Sequence, residues 1–146
     1  MNFDFNITTL AYGIFDQLNA DTIIKGSTYL DGTTKMFLFR APREVVSPHL
    51  IIEIMELIPD EMSHYTSEIR IHIYNRLLSN GQIDFTSGHR ITNRVESLLN
   101  NKILTMSGAI SMPLISLGII PLVYDESNSE EKAKSVVRLL AVVSKT

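Results

Sequence analysis

Glu68-Ile69-Arg70-Ile71-His72-Ile73-Tyr74-Asn75 alternates between polar and apolar side chains without a break. Successive side chains of a strand point to opposite faces, so isoleucine at 69, 71 and 73 makes one dry face. Glu68, Arg70, His72 and Tyr74 make the other, wet face. That is the pattern of a half-buried antiparallel strand with its core on one side.

The neighbouring segments extend this strand into a sheet. His49–Ile58 reads as a second strand ending at Pro59-Asp60, and the short connector Glu61–Thr66 makes the two antiparallel neighbours in mid-sheet. Glu53 is then expected opposite Arg70 or His72 on the wet face. Upstream, Ile7, Leu10, Ala11, Ile14, Phe15 and Leu18 trace one stripe of a helix capped by Asn6, with Gly13 as its weak point. Thr22–Leu30 and Thr33–Arg40 predict a hairpin about an Asp31-Gly32 turn, followed by a loop from Ala41 to Pro48. Downstream, Asn80-Gly81 marks a turn. A helix over Ser87–Asn100, capped by Thr86 or Ser87, presents Ile91, Val95, Leu98 and Leu99. Segments 103–106 and 109–123 are strand material whose prolines point to edges or bulges. Ser127–Glu130 has capping-box spacing, and Val136–Val143, apolar on both faces apart from Arg138, closes the chain as a covered strand. The expected class is α+β: a mostly antiparallel or mixed sheet, two main helices packed on one side, and a protruding hairpin.

Composition bounds the function. A chain of 146 residues with 45% hydrophobic and 20% charged residues fits one domain, 1–146, able to fill a core without staples. The absence of cysteine excludes disulfides, thiolate metal sites and cysteine nucleophiles. The N-terminus has neither the basic region nor the apolar run of a secretory leader, and the apolar stretch 110–123 is too broken to span a bilayer. A net charge of −3 gives no global attraction to nucleic acid.

No residue constellation demands catalysis. His49, His64, His72 and His89 lack metal-ligand spacing, although His64 and His72 are close enough in sequence to approach across the 61–67 connector. Ser87-Gly88-His89-Arg90 lacks the glycine-flanked serine of a nucleophile elbow, and no phosphate-binding glycine loop is present. Arg40, Arg43, Arg70, Arg76, Arg90 and Arg94 compose a conceivable basic patch, read here as solvated or intersubunit arginines. No cofactor and no metal are expected, and the chain is not expected to be an enzyme.

The order of these elements resembles a known group. A helix, a hairpin, the proline loop Ser47-Pro48-His49, the strand Ile69-Arg70-Ile71-His72-Ile73, a helix with Val95 and Leu98-Leu99, and a late strand follow one another across residues 6–143. This pattern is similar to the tail-completion (tail-terminator) and head–tail joining proteins of long-tailed bacteriophages, although segment 103–123 is longer here. The resemblance implies a virion protein, assembled in the host cytoplasm, that forms a closed, typically hexameric ring at the head-proximal end of the tail or in the neck. Such a ring ends tail-tube growth, joins tail to head connector, and lets DNA pass without specific binding. Its partners would be copies of itself, tail-tube proteins and connector proteins, with no membrane. The hairpin arm, apolar on both faces, and the wet face of the central strand give the expected oligomer-interface residues: Met36, Phe37, Leu38, Phe39, Arg40, Arg70, His72 and Tyr74. Two other readings compete: a small ligand-binding or regulatory module, and an enzyme using His72, Tyr74 and Glu53.

Overall fold

The computed structural model of the protein describes residues 5–25, 36–41, 49–60, 64–75, 78–125 and 132–146. Its order is α1 (Ile7–Asn19), α2 (Thr22–Lys25), β1 (Met36–Leu38), β2 (His49–Ile54), β3 (Ile58–Pro59), β4 (His64–Tyr74), α3 (Phe85–Leu99), β5 (Thr105–Met106), β6 (Ala109–Ser111), β7 (Ile115–Asp125) and β8 (Lys132–Lys145). The expected α+β class and mixed sheet are what is found.

The sheet runs β1-β2-β4-β8-β6-β5, with β3 on β4 and β7 on β8. All pairings are antiparallel except β1 with β2. β8 pairs with β4 along one side from Lys134 to Ser144, and shares its other side between β7 and β6. One transverse row therefore crosses the sheet: Leu38, Ile52, Ile71, Val137 and Ile119 are successive register partners.

The alternation of the quoted strand sets the core. Ile69, Ile71 and Ile73 are fully buried, beside Ile52 and Leu50 of β2 and Val137 and Leu139 of β8. Leu10, Ile14 and Leu18 of α1 and Val95 and Leu99 of α3 complete the same cluster. Each such side chain contributes about 1.5–3 kcal/mol on leaving water. A buried hydroxyl pair, Thr92 Oγ1 to Ser135 Oγ at 2.8 Å, fixes α3 on this inner face. Gly13 has a packing reason: a Cβ there would meet Met106 Cγ at 3.0 Å, so the glycine lets β5 approach α1.

Several expectations need correction. Thr22–Lys25 is a helical turn rather than a strand: Asp21 caps it through the Ile24 N–H at 3.0 Å, and Ile24 is buried in the core. Tertiary burial and a cap override the β-branched preference of Thr22-Ile23-Ile24. Residues 26–35, including Asp31-Gly32, lie outside the described residues, as do 42–48 and Ser127–Glu130. The surviving part of the return arm, β1, is parallel to β2. The expected strand 49–58 breaks after Ile54, and Ile58-Pro59 turns back onto Tyr65 and Thr66. The helix expected from Ser87 begins at Phe85 because Asp84 caps it, accepting the Ser87 N–H at 3.2 Å. The α1 cap at Asn6 is as expected, as a reciprocal pair with Thr9. The Asn80-Gly81 turn is present, with Gly81 at φ +83.

Asp21 also ties the helices together. Its two oxygens accept from Arg94 Nη2 at 2.7 Å and Nε at 3.2 Å. This bond to Arg94 holds the Asp21 carboxyl below its usual range, against the opposing effect of burial. Replacing Asp21 with Ala removes a cap and one partner of a two-pronged ion pair, and should destabilise the protein by about 1–2 kcal/mol. Urea unfolding should show a lower midpoint with an unchanged m-value.

Candidate functional site

The helices occupy the inner face, so the functional surface is sought on the outer face and at the sheet edges. The outer face carries the even-numbered residues of β4 and β8, together with His49, Ile51 and Glu53 of β2. Its centre is a chain of ion pairs. Glu68 Oε1 accepts from Arg138 Nη2 at 2.6 Å and Nε at 2.8 Å, and Glu68 Oε2 accepts from Arg70 Nη2 at 3.2 Å. Glu53 sits opposite Arg70 in register and lies 3.5 Å from His72 Nε2, so the expected cross-strand charge contact forms with His72, while Arg70 turns to Glu68. Arg138 holds the Glu68 carboxyl below the usual carboxylate range, with help from Arg70. Two carboxylates and two guanidiniums balance, leaving the centre of the face close to neutral.

At one end, the outer face is dry. His49 stacks on Tyr74 at 4.4 Å, Phe37 meets the His49 ring edge-on at 6.1 Å, and Lys134 Nζ sits 5.4 Å from the Tyr74 ring centre. Tyr74, His49 and Val136 are buried here, so the wet face does not extend to Tyr74 as the alternation alone implied. Burial pushes His72 below the ordinary imidazole range, helped by Lys134 and opposed by Glu53.

The expected interface residues therefore separate. Met36 is buried in the core and Tyr74 is buried on the outer face; Phe37, Leu38, Arg70 and His72 are half-buried; Phe39 and Arg40 are exposed. Phe39 has a positive φ of 65°, a conformation seldom adopted by bulky L residues. The arginines scatter instead of forming a basic patch: Arg94 pairs with Asp21, and Arg70 with Glu68. Arg43 and Arg76 lie outside the described residues. His64 and His72 do not meet, because both lie on β4 with roughly 26 Å of extended chain between them. His64 Nδ1 instead contacts Ser144 Oγ at 2.5 Å. Among the described residues no cluster of three or more metal-ligating side chains occurs.

Among the described residues, seven exposed apolar side chains gather in a segment to which the sequence pattern assigned no role. Ile103 (50%), Met112 (59%) and Ile115 (51%) stand well into solvent, with Ile110, Leu117, Ile120 and Leu122 about two-fifths exposed. Register places Ile110, Ile115 and Ile120 on the outer face, in one column beside β8. The signal in the sequence is the high apolar content of 109–123, interrupted by Ser111, Pro113, Ser116, Gly118 and Pro121. Bulges at 116/118 and 120/123, together with Pro121, unmatch this strand's backbone for regular pairing along its free edge. On the inner side of the same edge, His89, Thr92, Asn93, Ile119 and Pro121 enclose a half-open hollow of about 300 Å³ between α3 and β7. His89 Nε2 lies 3.2 Å from the Pro121 carbonyl oxygen at its rim.

No protein-family profile and no curated protein sequence matches the chain. A solved structure does. A chain of the virion of a native gene transfer agent particle superposes with a TM-score of 0.64 at 15% identity, covering 93% of this chain and 96% of that one. The likeness is one of fold, and it runs nearly end to end.

Because the folded state holds His72 below its unfolded value, the unfolded chain binds the extra proton first as pH falls. His72 therefore favours the fold fully above about pH 6.5 and loses that contribution progressively below it. Thermal melts from pH 7.5 to 5 should show this decline, and His72→Gln should be less steep in the same window.

Proposed function

We propose that this chain is a structural protein of a phage-like virion. It builds a ring at the head-proximal end of the tail or in the neck, ends tail-tube growth there, and joins the tail to the head connector. The carrying observation is a fold shared almost end to end with a virion chain. It is supported by a sheet edge whose large apolar side chains stand in solvent.

The physical chemistry fits that role. A monomeric protein rarely exposes contiguous apolar surface of several hundred Å², and patches of that size mark interaction sites. Contacts between different surfaces of identical subunits close into rings when the rotation allows. The charged centre of the outer face is neutralised internally by Glu68 and Glu53, so it offers phosphate little attraction, as suits a passage through which DNA slides. In this reading the protein works by assembly and catalyses nothing. Its partners are its own copies, tail-tube proteins and connector proteins.

The competing reading, a small-ligand module, would use the hollow between α3 and β7. Its volume of about 300 Å³ sits at the small end for ligand sites, and among the described residues His89 is its sole titratable lining residue.

Native mass spectrometry of the purified protein should show a closed oligomer of defined stoichiometry. Mass spectrometry of particles from producing cells should find the chain at a few to a dozen copies per tailed particle. A protomer at all concentrations that is also missing from particles would refute the proposal.

A further inference from the structure

The two edges of the sheet end on the same transverse row and carry opposite shapes. At the β1 end, Leu38 is followed by Phe39, which is 40% exposed at φ 65°. The turn is pinned by the Phe39 N–H donating to the Ile52 carbonyl at 2.8 Å and the Arg40 N–H donating to the Leu38 carbonyl at 2.7 Å. The aromatic ring is thus presented from a tightly held backbone, so little freedom remains to be lost on binding. At the β7 end of the row, Ile119 floors the hollow of about 300 Å³. An apolar cavity of about 150 Å³ accepts a benzene ring, so this hollow has room for a phenyl side chain.

Charge agrees with shape. Arg40, exposed, directly follows the ring. Glu96 lies on the same face of α3 as His89 and Asn93, one turn beyond the hollow. Leu117, Ile120 and Leu122 add exposed apolar surface along the same strand. Because Pro121 and the two bulges disturb the β7 edge, a partner is held there by side chains and not by strand addition.

Building on the ring reading above, we infer that Phe39 of one copy seats in the α3–β7 hollow of the next copy, with Arg40 against Glu96. The knob and the hole are different surfaces, so the contact is head-to-tail and propagates. Leu38, which directly precedes the knob, and Ile119, in the hole, share one row, separated by four strand spacings or roughly 19 Å, so successive copies need a step of no more than about one residue along the strand direction. Rotation without translation closes into a ring and not a helical filament.

The test uses the full chain in sedimentation velocity and native mass spectrometry. Phe39→Asp removes the knob, and Asn93→Trp, at an exposed position on the rim, fills the hole. Each variant alone should be a protomer with a wild-type circular dichroism spectrum. Mixed in equal amounts, they should give a one-to-one dimer and nothing larger, since one retains a hole and the other a knob. Arg40→Glu should weaken assembly at least tenfold, and adding Glu96→Arg should restore it; this pair keeps the test open if Phe39→Asp fails to fold. Variants that assemble as the wild type does, or a mixture that stays as folded protomers, would overturn this contact while leaving the ring reading intact. A wild-type chain that never assembles and is absent from particles would instead remove the ring reading itself.

Discussion

The whole arrangement depends on one dry surface: Ile69, Ile71 and Ile73 of the central strand, sealed between β2 and β8 and roofed by α1 and α3. A shift of one residue in register would turn these isoleucines outward and bring Arg70 and His72 into the core. Burying an unpaired guanidinium and imidazole would cost far more than a small domain's net stability allows. The inner face therefore fixes the register, and the register fixes everything on the outer face and at the edges. Glu53 stands beside Arg70, Glu68 reaches Arg138, and Leu38, the residue before Phe39, falls on one line with Ile119 of the α3–β7 hollow because the isoleucines permit a single pairing.

The outer face divides its labour. The ion pairs at its centre neutralise one another, and each is exposed enough to contribute little to stability. Their effect is to make that part of the surface indifferent to phosphate. On the proposed reading, the apolar column along β6 and β7 is the part covered by a partner. Part of the need foreseen for the 33–40 arm is met inside the protomer, where Met36 enters the core and Phe37 lies against His49. Of the described part of that arm, residues 36–40, Phe39 and Arg40 remain exposed. Half of the exposed large apolar side chains among the described residues lie at 103–122, toward the opposite edge.

The sequence made the centre legible and the edges obscure. Period-two alternation in 68–74 and the helical stripes of α1 and α3 are local signals with strong physical causes, and both elements lie where that reading put them. Glu53 against Arg70 and His72 followed from the pairing of two strands. The errors arose where non-local contacts decide. Thr22-Ile23-Ile24 has strand-forming side chains, yet Asp21 caps it and the core takes Ile24. Asp84 outcompetes Thr86 and Ser87 as a cap. Tyr74 keeps its place in the alternation but is dried by stacking on His49, a neighbour that no single-strand pattern reveals. The hollow between α3 and β7 joins residues some thirty positions apart and left no local trace.

The chain contains no cysteine, which makes the edge-to-edge contact directly measurable. A protein carrying Arg40→Cys together with Glu96→Cys, which keeps the Phe39 knob and the hollow, should on mild oxidation yield a ladder of disulfide-linked species ending in a covalent circle, while either substitution alone yields no ladder. Cross-linking confined to single-cysteine dimers, or none under conditions where the oligomer persists, would contradict the account of a knob on one edge of the sheet meeting a hole on the other.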